Sequence, residues 1–233
     1  PDGKPPRLIE LAHASGVQLT LMDWGATWLS CQVTVGDAQR EVLLGCSRFE
    51  DWFTQTAYLG ATVGRYANRI GHAKFTRGNQ VFHLAPTKGG HQLHGGPDGF
   101  DRRRWQILEQ SAEHVVLGLE SLDGDQGFPG NLSATVCYRL MSDARISMEY
   151  AATVDKPCPV NFTNHAYFNL DGAATDVRQH TLRIAAHQYV PTDPDLIPLG
   201  PLAAVEGTSF DFNQFKTIAR DFLADDQQRQ AQG

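Results

Sequence analysis

Three clusters along the 233 residues carry side chains that can move protons or hold a polar ligand. Gly64-Arg65-Tyr66-Ala67-Asn68-Arg69-Ile70 sets two arginines four apart with an asparagine beside the second. Guanidinium forks and a neutral amide suit several oxygens of one polar ligand. His91-Gln92-Leu93-His94-Gly95-Gly96 ends in two glycines, which let the backbone turn sharply and a ligand approach closely. Asn161-Phe162-Thr163-Asn164-His165-Ala166-Tyr167-Phe168-Asn169-Leu170 adds a histidine, a tyrosine and three asparagines. Together the clusters supply neutral donors and acceptors, a fixed cation, and imidazoles that titrate near neutrality. This is equipment for proton transfer beside a bound polar molecule.

Other chemistries lack their signatures. There is no GxSxG or comparable nucleophile setting for acyl transfer. Neither a GxGxxG turn nor a Gly-rich GKS/T loop is present to cradle a nucleotide. His91 and His94 have the spacing of a metal pair, but no motif completes the shell, so no metal and no cofactor is expected. The formal net charge of −6 disfavours nucleic acid or an anionic membrane as partner. No apolar run approaches the roughly 20 residues that span a bilayer. Cys31, Cys46, Cys137 and Cys158 show no zinc-knuckle or redox spacing, and no signal-peptide pattern precedes them, so a reduced, cytoplasmic chain is expected. The sequence leaves the oligomeric state open.

The elements that must position these groups read as strands. Val17–Leu21, Trp28–Val35, Val42–Gly45 and Val115–Glu120 are short apolar or alternating runs bounded by Gly, Asp or Asn. Leu132, Ala134, Val136, Tyr138 and Leu140 alternate with polar residues, and Ile146, Met148, Tyr150, Ala152 and Val154 repeat the stripe. The Ser142-Asp143-Ala144 turn between them predicts an antiparallel hairpin. Leu182, Ile184 and Ala186 alternate likewise. Residues 161–170 read as one buried strand, with Phe162, Asn164, Ala166 and Phe168 on one face and Asn161, Thr163, His165, Tyr167 and Asn169 on the other. Helical windows are confined to Ser47–Phe53 and Ile218–Gln232. With 41% hydrophobic and 20% charged residues and no linker, the chain is expected to be all-β: a large antiparallel β-sandwich forming a single domain over residues 1–233.

GRYANRI, QLHGGPDGFDRRRW and VNFTNHAYFNL, in this order and spacing, closely resemble the aldose 1-epimerase (galactose mutarotase) family. GDQGFPGNL, VDKPCPVN and GTSFDF match as well, and the resemblance covers nearly the whole chain. It implies a galactose mutarotase-like β-sandwich that interconverts the α and β anomers of free aldohexoses without cofactor or metal. By motif, His165 resembles the general acid toward the ring oxygen. His94 resembles the second histidine near the reacting centre. Asn68 and Arg69 resemble the pair that binds sugar hydroxyls, Tyr167 is a further substrate contact, and Arg65 opens the same motif. The family's general base is a glutamate close to its C-terminus, and its GYDH motif adds an aspartate. Neither has a match in this chain, which ends at Gly233. The resemblance therefore implies missing C-terminal strands, low activity of these residues alone and reduced stability. Two other readings are a non-catalytic carbohydrate-binding module on the same fold and a hexose-6-phosphate 1-epimerase, with Arg102-Arg103-Arg104 as the phosphate cluster. All three take a monosaccharide as the small-molecule partner. The epimerase reading requires His94 and His165 to converge on one pyranose-sized hollow.

Overall fold

The alternating stripes become strands because each buries one face. The computed structural model describes residues 3–87, 89–172 and 175–221, and its contacts separate the chain into two units, Pro1–Ala173 and Ala174–Gly233. In the first unit, β1 (Leu8–Ala12), β2 (Gln18–Met22), β3 (Thr27–Val35) and β4 (Ala38–Glu41) pair in chain order as an antiparallel sheet. Shorter pieces follow: β5 (Thr62–Val63), β6 (Arg69–Ile70), β7 (Lys74–Arg77), β8 (Gln80–His83) and β9 (Gln92–Leu93). A second antiparallel sheet consists of β10 (Gln106–Gln110), β11 (His114–Ser121), β12 (Leu132–Leu140) and β13 (Ile146–Val154).

Ile9, Leu11, Leu19 and Leu21 from the first sheet share one core with Val115, Leu117, Val136 and Tyr138 from the second. The two inner faces thus meet as a sandwich. Each fully buried aliphatic side chain contributes about 1.5–3 kcal/mol. The predicted hairpin forms with Leu132 opposite Val154 and Leu140 opposite Ile146. Its first strand buries its apolar stripe as expected, whereas Met148 and Val154 on β13 are exposed. The same stripe meets a different environment because β13, among the described residues, is an edge strand of its sheet.

The expected strand over residues 161–170 is corrected to β14 (Thr163–Asn164) alone, and the segment is half-buried to exposed. Its backbone is held by two neighbours in turn, residues 60–65 along 161–165 and residues 42–44 along 167–169. Asn161 N–H donates to Arg65 O, β14 pairs with β5, His165 N–H donates to Ala61 O, and Asn169 N–H donates to Val42 O. Neither neighbour runs alongside the whole segment, so no one ladder spans 161–170. Likewise Val42–Gly45 is not a strand; Leu43 makes one isolated bridge to Phe168. Ser47–Phe53 yields only a 3₁₀ turn, Phe49–Phe53.

In the second unit, β15 (Thr181–Leu182) pairs with β18 (Lys216–Thr217), and β16 (Gln188–Tyr189) with β17 (Ala203–Ala204). The Leu182–Ala186 stripe is shortened to β15, with Leu182 and Ile184 exposed. Local ring contacts hold these short pairs: Tyr189 lies 4.5 Å from Phe210, and the Lys216 ammonium sits 4.3 Å over the Phe212 ring. Of the helical window Ile218–Gln232, residues 222–232 lie outside the described residues, and 218–221 form turns.

Candidate active site

Register brings the first two clusters together. β6 pairs antiparallel with β9, placing Arg69 opposite Leu93. The next positions, Asn68 and His94, then close a reciprocal pair. His94 N–H donates to Asn68 O at 3.0 Å, and Asn68 N–H donates to His94 Nδ1 at 3.0 Å. Both residues adopt positive φ, +66° and +52°, a region that asparagine and histidine tolerate better than most residues. An imidazole whose Nδ1 accepts a backbone N–H carries its proton on Nε2 when neutral. Burial, then the neighbouring His165 and Arg69, push the His94 imidazole down to about 4. At neutral pH it is therefore an uncharged Nε2–H donor. The Arg69 guanidinium stands alongside, its Nη1 3.2 Å from Asn68 Oδ1.

His165 arrives from the other side. β14 pairs with β5, and the ladder continues through His165 N–H to Ala61 O (2.9 Å) and Gly60 N–H to His165 O (3.0 Å). The preceding Asn164 points inward: its Nδ2 donates to Gly60 O at 2.8 Å and to Tyr138 Oη at 3.0 Å. Tyr138 Oη in turn donates to Ala26 O, so the strand is pinned from the core of the sandwich. The His165 ring stands perpendicular to His94 with centroids 5.2 Å apart, and the half-exposed Tyr167 ring lies 5.2 Å beyond it. Asn68, His94, Asn161, His165 and Tyr167 line one open cleft of about 530 Å³. Ligand pockets for small molecules typically span about 300–1,000 Å³.

Other expected groups are used differently. Arg65 is 2% exposed and spends its guanidinium on the protein itself. It donates to Ser121 Oγ and to the carbonyls of Ser121, Leu122 and Pro129. The reading of a two-arginine fork on a ligand is corrected accordingly: Arg65 is committed to the protein, and Arg69 alone stands beside the cleft residue Asn68. His91 turns away from His94, its Nδ1 accepting the N–H of His72 at 2.9 Å. The close approach made possible by Gly95 is backbone on backbone, since a Cβ there would sit 1.8 Å from Gly64 O. In the arginine run, Arg103 is engaged by Asp98 and Asp125, and Arg104 by Asp23. Among the described residues, no three His, Cys, Asp or Glu side chains gather as a metal site, and no helix is long and apolar enough to cross a membrane. Tyr58, which no sequence signal singled out, places its ring 4.5 Å from His94 and 5.7 Å from His165.

A family model described as aldose 1-epimerase matches residues 7–231. The chain belongs to the aldose 1-epimerase family. The Escherichia coli protein named aldose 1-epimerase is 56% identical over 234 residues, covering 100% of this chain and 68% of that protein. Its namesake in Haemophilus influenzae is 51% identical over 230 residues, 98% of this chain and 67% of that one. A crystal structure of galactose 1-epimerase from Lactobacillus acidophilus superposes with a TM-score of 0.88 at 29% identity, covering 100% of this chain and 69% of that chain. The all-β, galactose mutarotase-like fold expected from the motifs is the fold observed. Within this aldose 1-epimerase frame, the GRYANRI, QLHGG and TNHAY segments meet at one cleft although they are separated by up to about a hundred residues.

Proposed function

We propose that His165 and His94 act together at the anomeric centre of a free aldohexose such as galactose or glucose. The reaction is the interconversion of α and β anomers, the activity of the aldose 1-epimerase family. His165 serves as general acid: it gives its proton to the ring oxygen as the C1–O5 bond breaks. The C1 hydroxyl loses its proton, the aldehyde forms, the C1–C2 bond rotates, and reclosure returns the proton to His165. His94, neutral and held with Nε2–H free, donates a hydrogen bond to a sugar oxygen beside the reacting centre. Asn68 and Arg69 hold sugar hydroxyls, and Tyr167 flanks the substrate. A base completes the cycle; the resemblance assigns that role to a glutamate, and among the described residues no carboxylate lines this cleft. The acidic balance of the chain favours a small neutral sugar over nucleic acid or an anionic membrane, and we place its action in the cytoplasm.

The observation that carries this reading is the perpendicular pair of imidazoles, 5.2 Å apart, on one polar cleft beside a guanidinium. A positioned acid contributes roughly 10²–10⁴-fold to rate. Polarimetry of freshly dissolved α-galactose, run on the full gene product, tests it. His165→Asn should lower kcat by about 10²-fold or more with little change in KM. Unchanged turnover in that variant would overturn the assignment of the acid. Retained sugar binding by a wild-type protein without any turnover would favour the carbohydrate-binding module instead.

A further inference from the structure

We propose that Tyr58 is a positioning residue of this site, its ring setting the orientation of the two imidazoles and keeping water from His94. The inference rests on the reading of His94 and His165 given above and extends it to a residue in neither motif. Tyr58 meets His94 edge-on at 4.5 Å with rings 69° apart, and lies tilted against His165 at 5.7 Å. No other ring touches both imidazoles among the described residues.

The loop that presents this ring is tightly determined. Tyr58 has φ +56°, unusual for an aromatic residue. Gln55 Oε1 accepts the N–H groups of Ala57 and Leu59, and Ala61 N–H returns to Tyr58 O. Gly60 then lies so close to β3 that a Cβ there would fall 2.0 Å from Trp28 O. The carbonyl of Gly60 accepts from Trp28 N–H and from Asn164 Nδ2. One turn is thereby fastened both to the sheet and to the segment that carries His165.

Tyr58 also lines a second cavity of about 100 Å³ with Asp101, Arg102, Trp52, Gln55 and Thr56. Its ring thus stands between that cavity and the imidazoles. The charged and titratable groups that bear on His94 are His165 and Arg69 directly, with Asp101 and Arg102 behind Tyr58. Removing the ring would join the small cavity to the neighbourhood of His94 and hydrate it. Desolvation is the first cause of the lowered His94 value, so hydration should raise it. The hydroxyl makes no hydrogen bond among the described residues, and burial and Asp101 push it above the usual phenol range. The ring, not the hydroxyl, is the working part.

The test is an NMR pH titration of His94 in the full gene product, in wild type, Tyr58→Ala, Tyr58→Leu and Tyr58→Phe, alongside kcat and KM by polarimetry. In Tyr58→Ala the His94 midpoint should rise by about one unit or more, toward the ordinary imidazole value of about 6.5, and kcat should fall more than KM changes. Tyr58→Phe should restore both readouts. Tyr58→Leu keeps most of the volume and serves if the alanine variant does not fold; it should give an intermediate rise. An unmoved His94 midpoint in the folded alanine or leucine variant overturns the proposal, as does loss of turnover in Tyr58→Phe. Should the wild type show no turnover at all, the assignment of function fails, while the titration still decides the role of Tyr58.

Discussion

The β11–β12–β13 ladder and the segment around His165 are both extended chain, yet they are held in different ways. β12 pairs along its whole length with β13 on one side and along all but its last residue with β11 on the other, and it buries every second residue. The segment 161–170 passes from one neighbour, residues 60–65, to another, residues 42–44, and stays half-exposed. A continuous ladder spreads its stability over many similar contacts. A segment fastened by a few hydrogen bonds to two short neighbours depends more on each of them, and in exchange it leaves part of its polar face open to a cleft.

The comparison breaks first where the two regions are joined. Arg65 follows β5 and bonds Ser121 at the end of β11, so Arg65→Met should strand several buried acceptors. Urea denaturation should show a loss of about 3–5 kcal/mol, the usual cost of removing one partner from a buried charged network. A cost near zero would mean the tie is ornamental. Tyr138→Phe comes next. It takes the donor from Ala26 O and one partner from Asn164 while keeping the core volume, at about 1–3 kcal/mol. Unlike a pure core change, it should also alter the contact between the His94 and His165 rings, read as an NOE. Ile9→Val in β1 should cost only about 0.5–1.5 kcal/mol and leave that contact unchanged, because the sheets carry no site group. If Ile9→Val disturbed the imidazoles as much as Tyr138→Phe does, the two regions would not be separable.

The smallest effect is in the pH dependence of stability. His94 binds its proton less tightly folded, at about 4, than unfolded, at about 6.5. Its contribution is present above about 6.5 and lost as pH falls toward 4. Burial pushes Asp101 the other way, up to about 6 from an unfolded value near 3.9, so its contribution falls as pH rises through that window. The two slopes oppose each other between about pH 4 and 6. His94→Gln should therefore leave stability falling with pH in thermal melts, and Asp101→Asn should leave it rising. Identical slopes in the two variants would remove the site region as the source of the dependence.

Much of the sheet framework was legible because a long strand writes its buried face into every second residue. β3, β11, β12 and β13 were read to within about two residues, and the 142–144 turn fell where expected. The same rule misled at 161–170, where alternation persists although the ladder does not. It misled again at β13 and at Leu182–Ala186, whose apolar stripes are largely exposed. β1 and the β7–β8 hairpin escaped notice, the latter despite Gly78-Asn79 at its tip. At the site, His94, His165, Asn68, Arg69 and Tyr167 were named from their motifs; Asn68, His94, His165 and Tyr167 line one cleft, and Arg69 stands beside Asn68.

The amino-acid order alone determined the strand stripes, the family, and the motifs in which His94 and His165 stand, because these depend on residue type and on spacing within one element. Only the tertiary structure decided that Arg65 is a buried tie, that the His94 Nδ1 accepts the Asn68 N–H, and that the Tyr58 ring packs on both imidazoles. Each of those outcomes turns on a partner far along the chain: Ser121 for Arg65, the backbone of Asn68 for His94, and two loops for Tyr58. Spacing fixes neighbours along a strand, whereas register and loop path choose the partners across it.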